Sequence, residues 1–238
     1  NDNLDNTMRI NNTVKFASLD YDGWQFGSLY GFSNSAGGFS DNRAYSVGTS
    51  YNNGPLRFAA AYLQINNGGT GIDNNNLTGA TDGLNSTFDA GLQRTFGAGL
   101  NYTFGPAWVG FVFTETKLEN ATAINNTNSA AIGLGDASLR FDNFELTGHY
   151  NLTSAVSVIG SYTYTDGSYS LGGGLSPKWN QFNLMLNYAL SRRTNLYVEG
   201  QYQHVSGGGH TFTADINGLA PSANDKQVAF TAGILTRF

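Results

Sequence analysis

Apolar and polar residues alternate along this chain with a period of two, and no helical stripe of period 3.6 runs through it. Segments of roughly ten residues with this alternation recur from end to end. They cover residues 7–18, 23–33, 43–52, 55–66, 91–104, 106–118, 139–152, 155–166, 178–190, 193–205 and 226–238, which predicts eleven β-strands. Short and long connections alternate between them. SLDYDG, NNGP, FGP, LTSA and LSRR are short, and each is followed after one strand by a long loop rich in Gly, Asn, Ser and Thr. Strict alternation of this kind predicts an up-and-down antiparallel barrel with two unlike ends. Greek-key crossovers of a β-sandwich do not produce it. The long loops, including SGGGHTFTADINGLAPSAND, read as solvated connections.

The two parities differ in chemistry. One carries Phe96, Ala98, Leu100, Tyr102 and Phe104, then Phe144, Leu146, Gly148, Tyr150 and Leu152. It continues with Phe182, Leu184, Leu186, Tyr188 and Leu190, and with Val228, Phe230, Ala232 and Ile234. The other carries Asn143, Glu145, Thr147, His149 and Asn151, then Gln181, Asn183, Met185 and Asn187, then Tyr197, Glu199, Gln201 and Gln203. Periodicity alone fits a soluble barrel as well as a membrane barrel. Three features favour the membrane. Strands running toward the short turns end on Phe16, Tyr51, Tyr102, Tyr150, Tyr188 and Phe238, an aromatic girdle suited to a membrane–water interface. The polar parity suits a hydrated lumen. The apolar parity is almost free of charge, and its exceptions Arg43, Arg94 and Lys178 sit at strand ends beside long loops.

Composition sharpens this. Of 238 residues only 12% are charged and 13% are aromatic, with 31 glycines and no cysteine. No disulfide framework or cysteine metal site is available. A net charge of −5 with 12 Lys+Arg leaves no basic footprint for nucleic acid. No run of about 18 apolar residues predicts a membrane helix. The chain starts NDNLDNTMRI, without a basic and apolar leader, so a signal peptide is not expected within it. Bacterial single-chain barrels have an even strand number, so eleven strands predict a barrel completed by residues outside this sequence.

Parity assigns lumen-facing ionisable residues: Arg9, Lys15, Arg57, Glu145, Glu199 and Arg237, with His149 beside them and Gln181, Asn183 and Gln201 between. Four cations against two anions make a mildly basic wall and a weak expectation of anion preference. The acids Asp73, Asp82, Asp89, Asp136, Asp166, Asp215 and Asp225 are assigned to loops or turns. Each lumen charge has a plainer reading as a solvated side chain paired with a neighbour. No catalytic constellation stands out. His149, His204 and His210 show no Ser/His/Asp or HExxH spacing, and LGGG and SGGGH lack the strand–helix context and lysine of a phosphate loop. No cofactor and no enzymatic activity are expected.

Several ungapped blocks resemble one family in order: NDNLDNTMRINNTVKF, FGSLYGFSNSAGGFSDNRAYSVGTSY, GPLRFAAAYLQ, SYTYTDG, LSPKWNQFNLMLNYALSRRTNLYVEGQYQHVSG and the terminal QVAFTAGILTRF. The chain resembles the general trimeric porins of Gram-negative bacteria, in particular their β-proteobacterial branch. The resemblance implies a sixteen-stranded transmembrane barrel in the outer membrane, with short periplasmic turns, long extracellular loops and a third loop folded into the pore. NDNLDN-like residues follow that third loop in the family. Residues 1–238 would then form one porin domain that lacks its first strands and most of the constriction loop, with Arg9 next to the constriction. The implied function is passive diffusion of small hydrophilic solutes and ions through a homotrimer. Implied partners are outer-membrane lipid, lipopolysaccharide, and the assembly machinery that reads a terminal strand ending in Phe238. A loop-based binding module and an outer-membrane enzyme are the rival classes.

Overall fold

The computed structural model describes residues 10, 12–33, 43–68, 88–124, 132–170 and 174–237. Among these, eleven strands form one sheet: β1 (Thr13–Ala17), β2 (Trp24–Gly31), β3 (Ala44–Asn53), β4 (Leu56–Gly68), β5 (Phe88–Phe104), β6 (Ala107–Ile124), β7 (Ile132–Asn151), β8 (Val156–Tyr169), β9 (Lys178–Ala189), β10 (Thr194–Ser206) and β11 (Lys226–Thr236). Each strand pairs with its sequence neighbours, antiparallel throughout, in the order β1 to β11. The sheet is open at β1 and β11 among the described residues.

Short connections join the strands at one end. Gly54–Pro55 and Gly105–Pro106 turn the chain with positive φ at the glycines (54° and 55°), a conformation that L side chains enter at a cost. The turns after β7 and β9 use side chains instead. The Thr153 hydroxyl accepts from the Ala155 and Val156 amides at 3.1 and 3.0 Å, and the Ser191 hydroxyl accepts from Arg193 and Thr194 at 3.1 Å each. These turns fix the register, and register fixes the faces, because a slip of one residue would exchange them.

Burial is inverted relative to a soluble β-protein. Along β9 exposed Phe182, Leu184, Leu186 and Tyr188 alternate with half-buried or buried Gln181, Asn183, Met185 and Asn187. The exposed face is the apolar one. Leu184 is 61% and Phe230 84% accessible, while Gln181 and Gln203 on the other face are 6% accessible. The polar face is called inner below. A contiguous exposed apolar face of this extent is stable only against another apolar phase. The outward run from Phe182 to Leu190 has the length of about 9–11 residues that a tilted membrane strand needs.

The predicted strand positions match, with one systematic difference. β5, β6, β7 and β8 have 17, 18, 20 and 14 residues and continue past the apolar band on the long-loop side. Residues 119–124 and 132–138, expected as solvated loop, are paired strand, with register shifts at Asp89/Ala90, Leu118/Ala121 and Ala121/Ala123. Asp89, Asp136 and Asp166 therefore lie in strands rather than loops; Asp73 and Asp82 lie outside the described residues. The physical reason is an inner apolar cluster on this extension. Ala90, Leu118, Ala121, Leu134, Ala137 and Leu139 are buried there together with Phe212. Phe212 belongs to the 207–225 connection, so that loop also departs from the solvated reading. The main hydrophobic core thus sits inside the wall, at its long-loop end.

The two faces predict opposite tolerance to charge. Leu184→Arg should lower the unfolding free energy by about 2–4 kcal/mol, whereas Asn183→Arg should cost under about 1 kcal/mol. Denaturant unfolding in lipid vesicles reads both, and equal costs would contradict the assignment of faces.

Candidate pore wall

Cross-strand registry builds a polar wall on the inner face. One row runs Asn101, Gly110, Thr147, Ser161, Asn183, Gln201 from β5 to β10, and the next holds Glu145, Thr163, Gln181 and Gln203. Their side chains bond to one another. The Asn143 amide donates to Thr114 Oγ1 at 2.9 Å, and Thr165 Oγ1 donates to Asn143 Oδ1 at 2.5 Å. Glu145 accepts from Thr147 at 3.0 Å and from Thr163 at 3.2 Å. The Asn183 amide donates to Ser161 Oγ at 2.9 Å and its oxygen accepts from Gln181 at 3.0 Å. Gln201 donates to Glu199 at 2.7 Å and Gln203 donates to Gln181 at 2.8 Å. Farther up the wall the Thr95 and Thr116 hydroxyls meet at 3.2 Å. Side chains with both donors and acceptors satisfy one another in such a lattice without carrying charge. That is why so polar a face needs so few ionisable groups.

The charges that it does carry are placed unevenly. Glu145 and Glu199 are half-buried and share a recess of about 260 Å³ with Ser161, Thr163, Gln181 and Met185. Both lie level with the outward apolar band, since Phe144, Leu146 and Val198 beside them point outward and are exposed. Arg57 is exposed, two residues into β4 beside the Gly54–Pro55 turn and in register with Asn52 and Asn101. Arg237 lies just past β11, its amide donating to Arg193 O at 2.9 Å. Both arginines are thus at the short-turn end. Lys15 is on β1 in register with Leu29, at the open edge of the sheet. His149 stacks on Trp108 with ring centroids 5.6 Å apart and 13° between planes, in register across β6 and β7. Arg9 lies outside the described residues. The structure therefore brings Glu145, Gln181, Asn183, Glu199 and Gln201 together and leaves Lys15, Arg57 and Arg237 apart from them.

On the outward face Phe16, Tyr102, Tyr150 and Tyr188 are exposed near the short connections. Tyr51 is partly covered by Trp24, with centroids 4.6 Å apart, and its hydroxyl accepts from Asn53 at 2.9 Å. Phe238 lies outside the described residues. Trp24 and Phe104 also stand exposed at this level and escaped the sequence criterion, Trp24 because it opens its strand rather than ending it.

A second feature escaped it as well. Above the apolar band the outward face carries a belt of ion pairs on the long-loop side of β5 to β9. Arg94 meets Glu119 at 2.9 Å, and Lys117 meets Glu115 at 2.9 Å. Arg140 joins Glu115 at 2.7 Å and Asp142 at 2.9 Å, and Lys178 faces Asp166 at 3.9 Å. Arg94, Lys117 and Arg140 stand side by side in register, and the interleaved carboxylates offset a repulsion that adjacent like charges would otherwise produce. The apolar parity is therefore less free of charge than expected from the sequence: besides Arg94 and Lys178 it carries Glu115, Lys117, Arg140, Asp142 and Asp166, all within the predicted strands.

This two-faced wall has counterparts among known proteins. The profile of the Gram-negative porin family matches residues 1–208. An outer membrane porin protein of Bordetella pertussis is 30% identical over 219 residues, covering 83% of this chain and 53% of the relative. An anion-selective porin from Comamonas acidovorans superposes with a TM-score of 0.65 at 19% identity, covering 96% of this chain and 60% of its own. OmpT, an outer membrane protein of Vibrio cholerae, gives a TM-score of 0.63 at 17% identity over 94% of this chain and 63% of its own. The chain thus spans about half the length of the curated relative it matches. With an all-β wall that is apolar outside and polar inside, and with the family profile spanning most of its length, this chain belongs to the Gram-negative porin family of the outer membrane.

Proposed function

We propose that this chain forms most of the wall of a water-filled channel through which small hydrophilic solutes and ions diffuse passively. The observation that carries this is the inverted sheet: exposed apolar side chains alternate with a hydrogen-bonded lattice of Asn, Gln, Thr, Ser and two glutamates. A membrane phase outside and water inside satisfy both faces at once. Unpaired edges at β1 and β11 are untenable in hydrocarbon, so further strands close the barrel in the complete protein. The expected complement is one sixteen-stranded domain, of which residues 1–238 lack the first strands and most of the constriction loop. Assembly as a homotrimer is part of the proposal, supported by the trimer form named for the Vibrio cholerae neighbour.

The wall charges suggest how ions are sorted. Lys15, Arg57 and Arg237 favour anions at the mouth and edge, and the family resemblance would add Arg9; Glu145 and Glu199 oppose them at mid-height. We propose a weak net anion preference, the preference named for the Comamonas acidovorans porin. Above the apolar band, the Arg94–Lys117–Arg140 belt lies where headgroups of lipid and lipopolysaccharide would stand, which makes them its natural partners. Phe238 is the proposed contact for the assembly machinery.

Two measurements bear on this. The full-length protein in planar bilayers should give stepwise, ohmic currents in multiples of a unit conductance. An intact, inserted barrel that stays silent would contradict the channel. In a salt gradient, Glu145→Gln together with Glu199→Gln should move the reversal potential further toward anion selectivity. An unchanged potential would remove both carboxylates from the conduction path.

A further inference from the structure

The 207–225 connection between β10 and β11 does not stand away from the sheet; it returns along the inner wall. Its start is tight. A Cβ at Gly207, where φ is 71°, would lie 2.5 Å from Ser176 O, and one at Gly208 would collide with Phe212 O. The chain therefore folds directly against the 174–177 segment and back over the wall. Residues 212–216 then run with alternating burial. Phe212, Ala214 and Ile216 are buried, Ile216 at 1% accessibility, while Thr213 and Asp215 between them are half-buried.

Inner-face side chains hold this segment through its backbone. Phe212 packs edge-on against Tyr169 and Trp179, with centroids 5.5 and 5.9 Å away. Trp179 Nε1 donates to Thr213 O at 3.1 Å. Gln203 clamps residue 215 on both sides. Its Oε1 accepts from the Asp215 amide at 2.5 Å, and its Nε2 donates to Asp215 O at 3.3 Å while also bonding Gln181. Gln227 repeats the clamp one residue on, accepting from the Ile216 amide at 2.7 Å and donating to Ala220 O at 2.8 Å. Two glutamines on neighbouring strands, in register with each other, thus bind consecutive backbone amides of the loop. A loop packed only by its own side chains would not engage these glutamines; here Gln227 binds the loop and Gln203 joins it to the lumen lattice through Gln181.

From this we propose that residues 207–225 form a constriction at the long-loop mouth of the channel, and that the tethered 212–216 segment sets an upper limit on solute size. This rests on the channel reading above. The loop subtracts cross-section from the lumen just above the Glu145–Glu199 level, and its buried apolar side keeps it from swinging out into water. The expected discrimination is chiefly by size, because the tethers hold the segment through neutral side chains and backbone; Asp215, held through its backbone, adds one carboxylate.

The test uses the full-length porin that contains this chain, in which residues 209–223 are replaced by a short Gly/Ser turn. A second variant keeps the loop and removes its tethers: Phe212→Ala with Gln203→Ala and Gln227→Ala. Folding is checked by heat-modifiable electrophoretic mobility, single-channel conductance is read in planar bilayers, and the size limit is read by liposome swelling with sugars of graded size. Both folded variants should raise unit conductance by about 1.5-fold or more and admit larger sugars than the parent. Parental conductance and the parental size limit in a folded tether variant would overturn the constriction, leaving the channel intact. A parent that does not conduct overturns the channel reading itself, and the constriction with it.

Discussion

Inside a hydrocarbon layer no water is available to pair a backbone N–H or C=O, and each unpaired group costs several kcal/mol. Nearly everything in this chain follows from that requirement. Each strand from β2 to β10 pairs with both of its sequence neighbours, in unbroken register through the apolar band. Period-two side-chain placement then makes two faces unavoidable, and the surrounding phases decide which residues each face can carry. The outward side takes Phe, Leu, Val and Tyr because a charge there is costly at mid-membrane. Among the described residues, register shifts occur beyond that band, at Asp89/Ala90 and from Leu118 to Ala123, where water can satisfy what the ladder leaves open.

The inner face solves a different problem. A polar wall must wet the lumen without scattering unpaired charges over it. The lattice of Thr, Asn, Gln and Ser does this by mutual donation, and its few carboxylates are held within it: Glu145 between Thr147 and Thr163, Glu199 by Gln201. The low charge content is thus a property of both faces for separate reasons. Ion pairs are concentrated where the strands leave the apolar band, and Arg140 binding Glu115 and Asp142 shows the pattern. Single exposed pairs contribute little to stability, but a continuous belt places alternating charges at headgroup height.

Much of this was legible in the residues themselves. The alternation of Phe182, Leu184, Leu186 and Tyr188 with Gln181, Asn183 and Asn187 set the faces of β9, and the Leu–Ser–Arg–Arg turn set its pairing with β10. The ends of β5 to β8 were not legible, because glycine and alanine in 119–138 weaken the alternation and bulges break its phase. The fate of the last long loop was equally hidden. TFTADIN has two strong apolar residues among polar ones, and only the tertiary position of Gln203, Gln227 and Trp179 shows that Phe212 and Ile216 turn inward. Local composition describes a loop's solubility, whereas its anchoring depends on residues from four different strands. Of the lumen residues read from parity, Glu145, Gln181, Asn183, Glu199 and Gln201 converge because the register of β7 to β10 sets them in adjacent rows; Lys15, Arg57 and Arg237 fall at an edge or a turn.

Because these 238 residues hold no cysteine, single cysteines can be scanned along β9 from Gln181 to Tyr188, in membranes. A charged, membrane-impermeant thiol reagent should modify positions 181, 183, 185 and 187, and a lipid-dissolved quencher should reach a probe attached at 182, 184, 186 and 188. Reactivity without this two-residue alternation, or with the two sets exchanged, would contradict a wall that faces lipid on one side and water on the other.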